Sequence, residues 1–164
     1  MSRSIVVTGL GAVSALGLDV AENWAAAAAG QCGIAPFTYD PGPHAVGAPT
    51  IPSARVKGEV QKALEAALGR RVGVLDPFTV FALKAAHEAL TAAGLVGAAA
   101  LEHRTALVMG HGMPGMQTLE TAYERAYGMK TTKVHPLTIP RVMVSAPVSA
   151  IAMEFTIRGP VFAV

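Results

Sequence analysis

Two apolar rhythms alternate along the chain. Short runs of branched apolar residues, Ile5-Val-Val-Thr8, Thr105-Ala-Leu-Val-Met109 and Val161-Phe-Ala-Val164, each adjoin a glycine-bearing turn: Gly9-Leu-Gly11, Gly110-His-Gly-Met-Pro-Gly115 and Arg158-Gly-Pro160. Runs of this length and make-up predict strands buried in a parallel sheet. Between them, apolar positions recur at helical spacing. Asp19 caps a predicted helix through Trp24 and the alanines to Gly30, and Val60 to Leu68 forms another, closed by Gly69-Arg-Arg71. Asp76-Pro77 opens a third, carrying Phe78, Phe81, Leu83, Ala86 and Leu90 before Gly94. An aspartate cap followed by proline in the first turn is a start signal, and the breadth of the apolar coverage predicts burial on more than one side. Met116 to Tyr127 reads as a peripheral helix, and Arg141 to Phe155 as an apolar, small-residue segment in which Pro147 forces a bend or a helix start. Ala54 to Gly58 is read as a further short strand, and the proline-bearing stretch from Pro36 to Pro52 as an extended surface connection. The alternation predicts an α/β fold with a mixed, mainly parallel buried sheet and helices on both faces.

Composition sharpens this picture. Apolar residues make up 52% of the 164 positions and charged residues 15%, which is greasy for a free-standing domain and predicts that much of the surface meets other protein. The net charge of +2 is small and scattered, so neither a nucleic-acid stripe nor a membrane-surface helix is predicted. A single cysteine, Cys32, allows no internal disulfide and no cysteine-based metal site. The start of the chain lacks the pattern of a signal peptide, and the alanine-rich stretches are shorter than a bilayer span. The expectation is a cytoplasmic protein without metal or cofactor.

The glycine turns carry the candidate chemistry. Gly9-Leu-Gly11 after the first strand invites a dinucleotide-binding reading, but the following helix starts late and no ribose-binding acid closes a βαβ unit about 20 residues on. Close backbone packing at a crossover accounts for those glycines more simply. Gly110 to Gly115, at the carboxyl end of a strand, is where α/β folds place ligands. There Met113 is an adaptable apolar wall, and His111 reads as a turn residue rather than a base. No Gly-Lys-Ser/Thr ending supports a phosphate loop. His87 reads as an ordinary helix residue, since nothing nearby in the sequence completes a constellation.

Taken in order, Val6-Val-Thr-Gly-Leu-Gly11 with Ser14 and Gly17, Gly30-Gln-Cys-Gly-Ile34, Asp76-Pro-Phe-Thr-Val-Phe-Ala82, Gly110-His-Gly112 and Arg158-Gly-Pro160 resemble the N-terminal part of a β-ketoacyl-acyl-carrier-protein synthase of the type I or II kind. Each motif is short; their order and spacing over nearly the whole chain carry the resemblance. It implies a thiolase-like fold of two similar βαβαβ halves, with residues 1–164 forming most of the first and ending just before the family's nucleophilic cysteine. A helix N-terminus lowers the pKa of such a thiol so that the thiolate can take an acyl group as a thioester. In the family, two histidines and a lysine further on serve decarboxylation and oxyanion stabilisation. None of the five histidines here matches those positions, and Cys32 sits in a turn where the family commonly has a small residue.

The resemblance therefore implies no catalytic residue within these positions. It does imply acyl-pocket residues: Gly112 and Met113 at the gating position, and Thr138 and Met143 lining the chain-binding tunnel from the partner subunit. The implied activity of the intact protein is decarboxylative condensation of an acyl thioester with malonyl-acyl carrier protein, in fatty-acid or polyketide synthesis. The residues present would be inactive alone. The implied partners are acyl carrier protein bearing acyl and malonyl groups, a second identical or related ketosynthase subunit, and the remainder of the same fold. Ser145-Ala-Pro-Val148 and Arg70 to Asp76 depart from the family pattern, which leaves the subclass open. The alternative is a non-catalytic partner of the chain-length-factor kind.

Overall fold

The structure is a computed structural model that describes residues 4–38, 47–56, 58–70, 72–131 and 133–164. Its centre is helix α3 (Pro77–Ala92), the third of the helices met along the chain after α1 (Val20–Ala28) and α2 (Val60–Leu68). Asp76 starts it as expected, accepting the Phe78 N–H at 3.2 Å with Pro77 in the first turn. Val80 and Leu83 project from α3 into a core shared with Val60 and Leu64 of α2, Val72, Leu101 of α4 (Ala100–Arg104) and Ile151 of α7 (Ala146–Glu154). Phe155 and Ile157 close this core. Leu64 and Leu83 are fully buried. Each contributes on the order of 1.5–3 kcal/mol by leaving water.

Strand β3 (Leu107–Met109) pairs in parallel with β4 (Val161–Ala163), Leu107 opposite Val161 and Met109 opposite Ala163. Leu107, Met109 and Val161 turn towards the core, whereas Val108 and Phe162 are exposed on the other face. The period-2 alternation thus covers one face of the pair within this chain. The turn before β4 is held tightly: Leu107 N–H donates to the Pro160 carbonyl at 2.9 Å, and Arg158 N–H to the Glu102 carbonyl at 2.6 Å. Gly159 is required there, because a Cβ would overlap the Thr105 carbonyl.

Three expectations need correction or refinement, and one helix had none. Ile5–Thr8 belongs to no sheet among the described residues, and Ile5, Val6 and Val7 are exposed. A run of strand composition becomes a strand only beside a partner, and none of the described residues supplies one. The segment instead leads into close packing on α3, where a Cβ on Gly9 would overlap the Ala89 carbonyl and one on Gly11 the Ala85 carbonyl. This is the crossover packing expected of those glycines.

Secondly, the short strand read at Ala54–Gly58 lies earlier. β2 (Thr50–Ala54) pairs antiparallel with β1 (Ile34–Thr38), inside what reads as a mere connection. Pro36 stands opposite Pro52. Two prolines are tolerated there because each strand of a two-stranded ribbon has an open edge that needs no N–H. Residues 39–46 of that connection, Lys57 of the expected strand and Arg71 of the charged end of α2 lie outside the described residues. Thirdly, α4 carries no start signal that predicts it. Finally, α5 (Met116–Tyr123) continues through a π-helical turn over Glu124–Gly128, so the helix expected to Tyr127 is present but changes its winding.

The proline-bounded region resolves into α6 (Thr138–Val142) and α7, which starts at Ala146 with Pro147 in its first turn. Pro147 is thus a helix start. Pro147, Val148, Ala150 and Ile151 of α7 are buried, and the helix packs on α3. The small residues permit that approach within the chain.

Candidate functional site

The carboxyl ends of β3 and β4 converge on the loop Gly110–Gly115. Val164 N–H donates to the Met109 carbonyl at 2.9 Å, and His111 N–H to the Val164 carbonyl at 3.0 Å, so the ladder runs one residue past each strand. The loop then crosses to the turn between α6 and α7. The Nε2 of His111 lies 2.6 Å from the Val144 carbonyl oxygen, and the His111 ring meets that of Phe78 edge-on, with centroids 6.1 Å apart. Gly115 ends the loop at φ 66° against Val142, which a Cβ would strike. Left-handed backbone and close approach both select glycine at this position.

Of the expected pocket residues, Gly112 and Met113 sit on the free middle of this loop. Nothing lies within 4 Å of a Cβ placed on Gly112, and Met113 is 77% exposed. Met143 follows α6 directly, beside Val144, and is 48% exposed. The fold therefore brings the Met113 loop and the Met143 turn against each other. Thr138 is separate: it begins α6, is buried, and lines a cavity of about 250 Å³ together with Leu75, Pro77, Arg125, His135 and Arg141. Cys32 is an exposed free thiol between α1 and β1. His87 packs beside the Phe155 ring, with centroids 6.2 Å apart.

Two polar devices join distant parts of the fold and have no periodic signature. The buried Asp76 carboxylate both caps α3 and accepts the Thr118 N–H at 3.1 Å and the Thr118 hydroxyl at 2.6 Å, which docks the start of α5 on the start of α3. Glu88 accepts the Ala12 N–H at 3.1 Å and the Val20 N–H at 2.8 Å, so it holds the loop that precedes α1. Asp76 was visible in the sequence as a cap, but not its tie to Thr118. Glu88 pairs with Lys84 only at 4.0 Å. Among the described residues there is no group of three or more His, Cys, Asp or Glu side chains that could hold a metal ion, and no helix is long and apolar enough to cross a membrane.

The family model for the β-ketoacyl synthase N-terminal domain matches residues 2–164. The chain belongs to the β-ketoacyl synthase family. Relatives agree: a 3-oxoacyl-[acyl-carrier-protein] synthase 2 from Coxiella burnetii is 30% identical over 96% of this chain and 37% of its own length. A nodulation protein E from Rhizobium leguminosarum bv. trifolii is 31% identical over the whole of this chain and 39% of its own. The solved ishigamide ketosynthase/chain length factor superposes with a TM-score of 0.70 at 21% identity, covering 97% of this chain and 38% of that one. A β-ketoacyl synthase from Burkholderia phymatum gives 0.69 at 19%, covering 96% and 38%. The fold is the thiolase-like fold of ketosynthases, and the chain spans under two fifths of the length of these relatives. In this ketosynthase domain, two of the ordered landmarks, Gly110-His-Gly112 and Arg158-Gly-Pro160, adjoin the parallel pair β3 and β4.

Proposed function

We propose that the intact protein is a condensing enzyme: a cysteine thiolate beyond β4 takes an acyl group from acyl carrier protein, and the acyl carbonyl is then attacked by the carbanion equivalent left when malonyl-carrier protein loses carbon dioxide. The observation that carries this reading is the match to the ketoacyl synthase N-terminal domain over residues 2–164. Residues 1–164 contribute scaffold and pocket rather than the reacting groups, so on their own they are inactive. Gly112, Met113 and Met143 form the pocket wall, and Thr138 a more distant part of it. The exposure of Met113 and Met143 suits flexible walls that close on an alkyl chain.

Exposed Val108 and Phe162 on the open sheet face, and Ile5 to Val7 on the unpaired run, suit coverage by the rest of the same fold. Exposed Ile139, Val144 and Met153 around α6 and α7 suit a second ketosynthase subunit, identical or related. A cytoplasmic location belongs to the same proposal.

The test is condensation of radiolabelled malonyl-acyl carrier protein with acyl-carrier-protein primers by the full-length protein. Labelled β-ketoacyl product is expected. Absence of product from the protein alone, with product restored by a ketosynthase partner, would replace this reading with a non-catalytic chain-length partner. Within the enzyme reading, Met113→Phe shortens the longest acyl chain accepted; an unchanged chain-length profile removes Met113 from the pocket.

A further inference from the structure

We infer that His111 is a positioning residue that holds the Met113 loop against the turn after α6, and through Met113 sets the chain-length preference. The inference rests on the pocket assignment proposed above. A carbonyl oxygen can only accept, so the 2.6 Å contact to Val144 requires the proton on His111 Nε2. The ring's Nδ1 is enclosed by protein and has no hydrogen-bond partner among the described residues, where the side chain's single polar tie is the one to Val144. Phe78, from the first turn of α3, lies edge-on to the ring and restricts its rotation.

The position of this bond gives it leverage. Met113, the gating residue, lies two residues after His111. The loop is fixed at its start by the strand ladder through the His111 N–H, and at its end by the contact of Gly115 with Val142. Between those anchors a Cβ on Gly112 would meet nothing and Met113 is exposed, so among the described residues the ring is the loop's side-chain tie there. The ring is the only side chain of the loop with a hydrogen bond across to the α6–α7 turn among the described residues. Removing it leaves the fold's anchors in place but lets Met113 drift relative to the turn that holds Val144, which relaxes discrimination among acyl chains.

The experiment compares full-length wild-type, His111→Ala and His111→Gln proteins on a ladder of saturated acyl-carrier-protein primers. A glutamine amide can present an N–H donor near the position of Nε2. His111→Ala is expected to change the ratio of kcat/KM between the longest and shortest accepted chains by about three- to tenfold, the effect of one hydrogen bond, while His111→Gln stays within about twofold of wild type. An unchanged ratio in the alanine variant overturns the inference, as does an equal change in both variants. A second measurement needs no variant. The ¹⁵N shifts of His111 in the full-length protein are expected to report the Nε2–H tautomer, and an Nδ1–H tautomer overturns the inference even if the alanine variant fails to fold. If the wild-type protein condenses no primer, the enzyme reading fails, and the tautomer still reports on the bond separately.

Discussion

Replacing Asp76 by alanine tests whether one buried carboxylate couples two helices. In the structure this side chain makes three hydrogen bonds: to the Phe78 N–H at 3.2 Å, to the Thr118 N–H at 3.1 Å and to the Thr118 hydroxyl at 2.6 Å. Loss of an N-cap costs about 1 kcal/mol. The Thr118 pair is partly buried, and leaving its donors without an acceptor costs about 1–3 kcal/mol more. The sum is about 2–4 kcal/mol, a large part of the stability of an ordinary domain. Asp76→Asn retains the cap but can present only one oxygen, so it is expected to fall between wild type and alanine. The assay is reversible urea denaturation of the full-length protein, followed by far-ultraviolet circular dichroism, in a cycle with Thr118→Val. If Asp76 couples α3 to α5, the two substitutions are strongly non-additive, because the hydroxyl bond can be lost only once. A cost near 1 kcal/mol for Asp76→Ala, with additive behaviour in the cycle, would reduce Asp76 to a simple cap and refute the coupling.

Other substitutions probe the remaining devices. Glu88→Gln keeps one acceptor of the two that receive Ala12 and Val20, and is expected to cost about 1–3 kcal/mol by the same denaturation assay. Lys84→Met should cost under about 1 kcal/mol, since the pair at 4.0 Å is long and in the less favoured order. Gly9→Ala drives a methyl into the Ala89 carbonyl, so a loss of about 1–3 kcal/mol or more is expected. Gly58→Ala meets nothing within 4 Å and should stay within about 0.5 kcal/mol of wild type; equal effects at Gly9 and Gly58 would contradict the packing argument.

The sequence by itself determined the elements whose causes are local. Asp19 caps α1 by accepting the Glu22 N–H at 2.7 Å, Asp76 and Pro77 start α3, and Pro147 starts α7. These signals act through the backbone of adjacent residues, so they can be read along the chain. The ordered glycine and Arg-Gly-Pro landmarks carried the family for a similar reason: Gly9, Gly11 and Gly159 each mark a place where only a missing Cβ permits the observed approach. Tertiary structure decided what depends on which surfaces meet. Ile5–Thr8 has strand composition but joins no sheet among the described residues, while Pro-bearing Ile34–Thr38 and Thr50–Ala54 do pair. A strand is completed by hydrogen bonds to another segment, whereas a helix completes its own. The same holds at the candidate site, where Thr118 on Asp76 and Val144 on His111 are contacts across 42 and 33 residues. No periodicity records such a contact, because its partners are neighbours only after the helices between them have packed.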